Sequence, residues 1–198
     1  VLDTLPSIVD PPSPQQLPHD ATGKIEFKDV TFTYPDADLP VLSSINFTAE
    51  PGQTTAFIGS TGSGKSTLIN LIPRFYDVSA GQILLDGVDI RQLKLEELYD
   101  QIGYVPQKGV LFSGTIASNI KYGNAKASQK LVEKSAKIAQ AAEFVSELKN
   151  GYKNDIAQGG SNVSGGQRQR LSIARAIAVE PNVYIFDASF SALAFKTD

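Results

Sequence analysis

The chain has 198 residues, 41% of them hydrophobic, and a formal net charge of −3; that is enough apolar material for one buried core and excludes a disordered polymer. The acidic balance argues against DNA or RNA as a partner, because proteins of that kind present a basic face to phosphates. Cysteine is absent, which excludes a disulfide framework or thiolate metal site and fits a reducing compartment, and no apolar run approaches a bilayer span.

In chain order, five of the eleven prolines fall between Pro6 and Pro18, where fixed φ angles and missing N–H donors disfavour helix and internal strand. That stretch reads as an extended linker, and its opening residues lack the pattern of a signal peptide. Ile25, Phe27, Val30, Phe32 and Tyr34 alternate with polar residues, with one slip in phase, which predicts strand with a bulge or turn. Val41 to Ala49 continues the pattern, Pro51-Gly52 turns the chain, and Thr54 to Ile58 reads as a short strand. From Lys65 the apolar residues Leu68, Ile69, Leu71 and Ile72 follow a helical period. Ser128 to Leu148 predicts one or two helices, and another follows Ser164. Val183 to Phe186 is an unbroken apolar run ending in Asp187, the pattern of a strand buried on both faces of a parallel sheet. Methionine is absent even at position 1, so the chain reads as a fragment of a longer or processed polypeptide.

Gly59-Ser60-Thr61-Gly62-Ser63-Gly64-Lys65-Ser66-Thr67 matches G-x-x-x-x-G-K-[ST] between a predicted strand and a predicted helix, the context that gives the motif its meaning. Glycines let the backbone wrap phosphate oxygens so that successive N–H groups point at the anion. Lys65 adds a full charge near the β- and γ-phosphates, Ser66 a hydroxyl for Mg²⁺, and Thr67 a donor to the α-phosphate. A chance match in a chain this long has a probability on the order of one in a hundred.

Ser164-Gly165-Gly166-Gln167 opens the last predicted helix; a serine cap followed by glycines exposes N–H groups and a hydroxyl to an anion. With the flanking Val163 and Leu171-Ser172-Ile173-Ala174-Arg175-Ala176, this run resembles the signature of ABC transporters, with Val163 where leucine is usual. The resemblance extends over Lys24 to Asp198, and Phe112 to Gly123, FSGTIASNIKYG, is similar to exporters of the multidrug and lipid-exporter type.

The resemblance implies an α/β fold: a P-loop NTPase core with a mostly parallel sheet, an N-terminal antiparallel β subdomain and a helical signature subdomain. Residues 1–22 would be a proline-rich linker from a membrane domain, and residues 23–198 an ATP-binding domain incomplete at its C-terminus. ATP and Mg²⁺ are the implied ligands. Tyr34 matches the aromatic that stacks on adenine, Gln107 the loop glutamine near Mg²⁺ or the attacking water, and Asp187 the carboxylate of the Mg²⁺ shell, so Ser66, Gln107 and Asp187 form the implied metal set. Two such domains, alike or different, pack head to tail, each signature closing over the other's nucleotide, and transmembrane domains place them at the cytoplasmic face of a membrane.

Departures from the family pattern matter equally. Ala188 follows Asp187 where a glutamate usually polarises the attacking water, and Ala194 stands where the S-A-L-D motif ends in aspartate. The family's switch histidine has no counterpart before Asp198. Loss of general-base assistance typically costs roughly 10² to 10⁴ in rate, so the expectation is nucleotide binding with slow hydrolysis, the parent being an ATPase that drives export. The alternative from another class is an ATP-binding but hydrolysis-deficient module, natural or engineered, with a structural or regulatory role; a third reading, a DNA-repair or chromosomal ATPase sharing the signature, normally carries long coiled coils, and none is visible here.

Overall fold

The computed structural model describes residues 6–187. The chain divides into two compact units, residues 1–101 and residues 102–198.

The first unit is built on an antiparallel sheet. Strand β1 (Ile25–Phe32) lies between β2 (Leu42–Ala49) and β3 (Ala80–Leu85), and β4 (Val88–Asp89) pairs with β3. Alternation puts Ile25, Phe27, Val30 and Phe32 on the buried face; the Phe27 ring stacks on its cross-strand partner Phe47 at 4.3 Å. The slip in phase is a bulge. Register shifts between Phe27 and Val30, where Asp29 adopts φ 50°, and the extra residue returns Val30 to the core side. Gly81 of β3 faces this bulge with φ +76°, and a Cβ there would lie 2.2 Å from the Asp29 carbonyl oxygen. Asp86 (φ 47°) and Gly87 (φ 84°) form the two-residue turn between β3 and β4, the geometry of a type I′ hairpin.

Helix α1 (Lys65–Leu71) buries Leu68 and Leu71. A 3-10 turn at Ile90–Gln92 leads to α2 (Leu95–Asp100), which buries Leu98. The proline-rich stretch is hydrogen-bonded along this face: the N–H of Leu95 donates to Asp10 Oδ1 (2.8 Å), that of Gln15 to the Gln92 carbonyl (2.8 Å) and that of Leu17 to Glu97 Oε1 (2.9 Å). The Asp86 carboxylate gathers the N–H groups of Thr22, Gly23 and Lys24 and the Thr22 hydroxyl.

The second unit packs helices around α6 (Gly165–Ala178). Strand β5 (Ile102–Val105) runs parallel to β8 (Val183–Phe186), with Ile102 opposite Val183 and Val105 opposite Phe186. A two-stranded ribbon of β6 (Gly114–Thr115) and β7 (Asp155–Ile156) flanks α3 (Ile116–Ile120). Helices α4 (Gln129–Ile138) and α5 (Ala142–Glu147) occupy the segment expected to hold one or two helices. Ser128 caps α4 by accepting from the Leu131 N–H. Ile116, Ile120, Val132, Val145 and Leu171 form the centre of one apolar cluster.

The expected division of sheets is present: β1 to β4 form the antiparallel subdomain, and β5 pairs with β8 in parallel, the one parallel pair among the described residues. Two strand expectations are corrected. Thr54–Ile58 carries no regular structure, and Ile58 is 96% exposed; β-rich composition specifies a tendency, but a strand exists only with a ladder partner. Strand β8 is not buried on both faces: Ile185 is buried while Tyr184 and Phe186 are exposed. A sheet face is buried only where another layer packs on it, and among the described residues the face carrying Tyr184 and Phe186 is left in solvent, where the two rings stack at 6.4 Å.

Candidate nucleotide-binding site

The glycine-rich loop closes around Lys65. Gly64 caps α1 in the left-handed region (φ 85°), and Gly62 shares that conformation (φ 84°), which side-chain-bearing residues rarely adopt. Space decides at two glycines: a Cβ on Gly59 would meet Ser63 Oγ at 2.7 Å, and one on Gly64 would meet Leu42 Cδ2 at 3.0 Å. The Lys65 Nζ donates to the carbonyls of Gly59 (2.8 Å) and Ser60 (2.7 Å) and to Ser63 Oγ (3.2 Å). The ammonium is thereby held within the loop's own arc. Ser60, Thr61, Gly62 and Ser66 are exposed, and Thr67 is 8% exposed. Backbone, cation and hydroxyls of this loop fit a polyphosphate.

Tyr34 follows β1, in the same unit. Its ring stands edge-on to Phe32 (4.8 Å, 78°) and to Tyr76 (5.3 Å, 86°), and its hydroxyl lies 2.9 Å from Thr67 Oγ1.

The remaining expected residues belong to the second unit. Ser164 caps α6 with a reciprocal pair: its Oγ accepts from the Gln167 N–H (3.2 Å), and Gln167 Oε1 accepts from the Ser164 N–H (2.9 Å). Ser164 and Gly165 are exposed, and Gly166 is partly so. Gln107 is exposed in the segment after β5. Asp187 follows β8, and its N–H donates to the Val105 carbonyl (3.0 Å), extending the parallel ladder by one rung. Burial, reinforced by the Asp187 charge, pushes the neighbouring Tyr104 phenol up to about 12. Ala188 and Ala194 lie outside the described residues.

Four further residues shape these segments without announcing themselves in the sequence. Asn119, 1% exposed, accepts from the Phe112 N–H and from Arg175 Nη2 and donates to the carbonyls of Phe112 and Thr115. Arg175 also donates to the carbonyls of Asn119 (2.9 Å) and Val110 (3.0 Å). Its guanidinium lies 5.2 Å from the Phe112 ring centroid and 5.5 Å from that of Tyr122. Burial lowers its proton affinity, with Tyr122 opposing. Gly109 lets the loop after Gln107 approach α6, since a Cβ there would sit 2.6 Å from Ser172 Oγ and 3.0 Å from the Arg168 carbonyl. Tyr76 packs on Tyr34. For Asn119 the one available signal is its place beside Ile116 and Ile120 on a buried helical face.

Among the described residues no cluster of three or more His, Cys, Asp or Glu side chains could hold a metal ion. No described helix is long and apolar enough to cross a membrane.

Comparison with known proteins bears on these features directly. Residues 42–191 match the ABC transporter family model. The chain is 48% identical, over 201 aligned positions covering 100% of it and 34% of the relative, to an uncharacterized ABC transporter ATP-binding protein of Mycobacterium tuberculosis. It is 45% identical over 193 positions to an ATP-dependent lipid A-core flippase of Syntrophus aciditrophicus, covering 98% of the chain and 32% of the flippase. The structure of a bacterial Atm1-family ABC exporter with ATP bound superposes with a TM-score of 0.92 at 37% identity, over 99% of this chain and 34% of that one. The chain thus spans about a third of the length of these relatives. With the phosphate loop, the capped signature helix and a family match that runs through both, this chain belongs to the ABC transporter family.

Proposed function

We propose that this chain is the ATP-binding domain of an exporter-type ABC transporter, with residues 1–22 joining it to a membrane domain. The observation that supports this best is the loop from Gly59 to Thr67, whose left-handed glycines and inward Lys65 ammonium suit a triphosphate. Gly59 to Lys65 would bind phosphate through N–H groups and one full charge, Thr67 would donate to the α-phosphate, and Tyr34 would meet the base. Ser66, Gln107 and Asp187 would hold Mg²⁺, which when bound neutralises phosphate charge and orients the terminal group. Ser164 to Gln167 would complete the site of a second nucleotide-binding domain, alike or different. Transmembrane partners would anchor the pair at the cytoplasmic face of a membrane; similarity to a lipid A-core flippase and an Atm1-family exporter supports the direction as export.

A second feature concerns rate. Ala188 offers no proton acceptor where the family carries a carboxylate, so binding is expected with hydrolysis slowed by roughly 10² to 10⁴. Calorimetric titration of MgATP, paired with phosphate release, tests both statements. Saturable binding lost in Lys65→Ala, with phosphate release rising in Ala188→Glu, is the expected result. A wild-type chain that fails to bind ATP sinks the first statement, and release as fast as in a relative carrying the glutamate sinks the second.

A further inference from the structure

We infer that Tyr34 also serves the phosphate side of the site, as a positioning residue acting through Thr67, so that one aromatic side chain ties base recognition to phosphate recognition; this rests on the nucleotide reading above. The two hydroxyls lie 2.9 Å apart. Thr67 is 8% exposed, so this contact is formed where water competes poorly and a hydrogen bond gains strength.

Chemistry sets its direction. A phenol is the better donor and an aliphatic alcohol the better acceptor, so Tyr34 donates and Thr67 receives. Receiving one hydrogen bond polarises the Thr67 hydroxyl and leaves its own proton for an acceptor, which for this loop is a phosphate oxygen. The result is a relay from phenol to alcohol to phosphate.

Neighbouring rings hold the donor in place. Phe32 and Tyr76 meet Tyr34 edge-on at 78° and 86° and are themselves 5.5 Å apart, so the phenol is confined on two sides. Ring and hydroxyl thereby have separable duties: the ring serves a base, whereas the hydroxyl serves Thr67.

Sodium tripolyphosphate, which has no base, separates the two. Calorimetric titration of the full chain with Mg-tripolyphosphate and with MgATP would compare wild type, Tyr34→Phe, Thr67→Val, Thr67→Ser and the Tyr34→Phe/Thr67→Val double variant. The relay predicts that Tyr34→Phe weakens tripolyphosphate binding about two- to tenfold, the worth of one hydrogen bond, and ATP binding by the same factor. Tyr34→Phe should add almost nothing once Thr67→Val is in place, and Thr67→Ser, which keeps the hydroxyl, should retain most of the affinity. Unchanged tripolyphosphate affinity in Tyr34→Phe, or an equal loss when Tyr34→Phe is added to Thr67→Val, overturns the relay. Tighter binding overturns it also, because the hydroxyls would then compete. A wild-type chain that binds neither probe removes the nucleotide reading and the relay with it, an outcome distinct from the others.

Discussion

Replacing Asn119 by alanine should cost stability out of proportion to its size. Three of its contacts have no second side chain to turn to: the Phe112 N–H (2.9 Å), the Phe112 carbonyl (2.9 Å) and the Arg175 Nη2 (3.0 Å). The fourth, the Thr115 carbonyl, also accepts from the Ser118 hydroxyl and loses less. Phe112 is exposed, so its backbone groups regain water at about 1 kcal/mol each. Arg175 keeps its two backbone carbonyls but forfeits a charge-assisted bond, for about 1.5 kcal/mol. The expected loss is therefore about 3.5 kcal/mol, read as a lower urea midpoint with the slope of the transition unchanged. Amide exchange should also rise at Phe112, whose N–H would have lost its acceptor. A loss under about 1 kcal/mol would refute the claim that this side chain holds the end of the loop that begins at Gln107.

Gly81→Ala should prevent folding or cost more than about 3 kcal/mol in urea unfolding, because the added Cβ would stand 2.2 Å from the Asp29 carbonyl oxygen at φ +76°; a loss near 1 kcal/mol would mean that the bulge gives way. Tyr104 should be titrated by tyrosinate absorbance, since its phenol is raised from 10.0 to about 12 first by burial and then by Asp187. The folded chain favours the neutral phenol, so its contribution to stability is complete below pH 10 and is lost as pH climbs from about 10 to about 12. Tyr104→Phe should remove that late absorbance step and flatten stability across the same window, and a wild-type chain with no step near 12 would disprove the shift.

Local chemistry was legible in the sequence, and pairing was not. The phase slip near Asp29, the capped helix at Ser164 and the helical character of the stretch after Ser128, read as one or two helices, all follow from local spacing, and each is present, the last as two helices. The membership in the ABC transporter family was equally legible, because its motifs are contiguous runs. What failed depends on partners far along the chain. Among the described residues Thr54–Ile58 has the composition of a strand and no ladder, and β8 has the apolar run of a central strand with one ladder partner. The hairpin at Asp86-Gly87 was signalled by its turn dipeptide, which a search for alternating hydrophobicity passes over. Arg175, Asn119 and Gly109 were hidden for a different reason: a buried polar network is specified by who meets whom, and composition encodes none of it.

Their contacts show why α6 is more than a capped helix. Gly109 brings the loop after Gln107 to within a missing Cβ of Arg168 and Ser172, and Arg175, about one turn beyond Ser172, grips that loop at the Val110 carbonyl and through Asn119. At the other end the same helix carries the Ser164–Gln167 cap, while Arg168 holds the approach to it through the Gly160 and Val163 carbonyls. A displacement of the loop that carries Gln107 is therefore opposed by hydrogen bonds anchored on the helix that presents Ser164. The two segments expected to face nucleotides share one rigid support within the second unit, so a substitution on the inner side of α6 should disturb both together, whereas Lys65, Thr67 and Tyr34 depend on contacts belonging to the first.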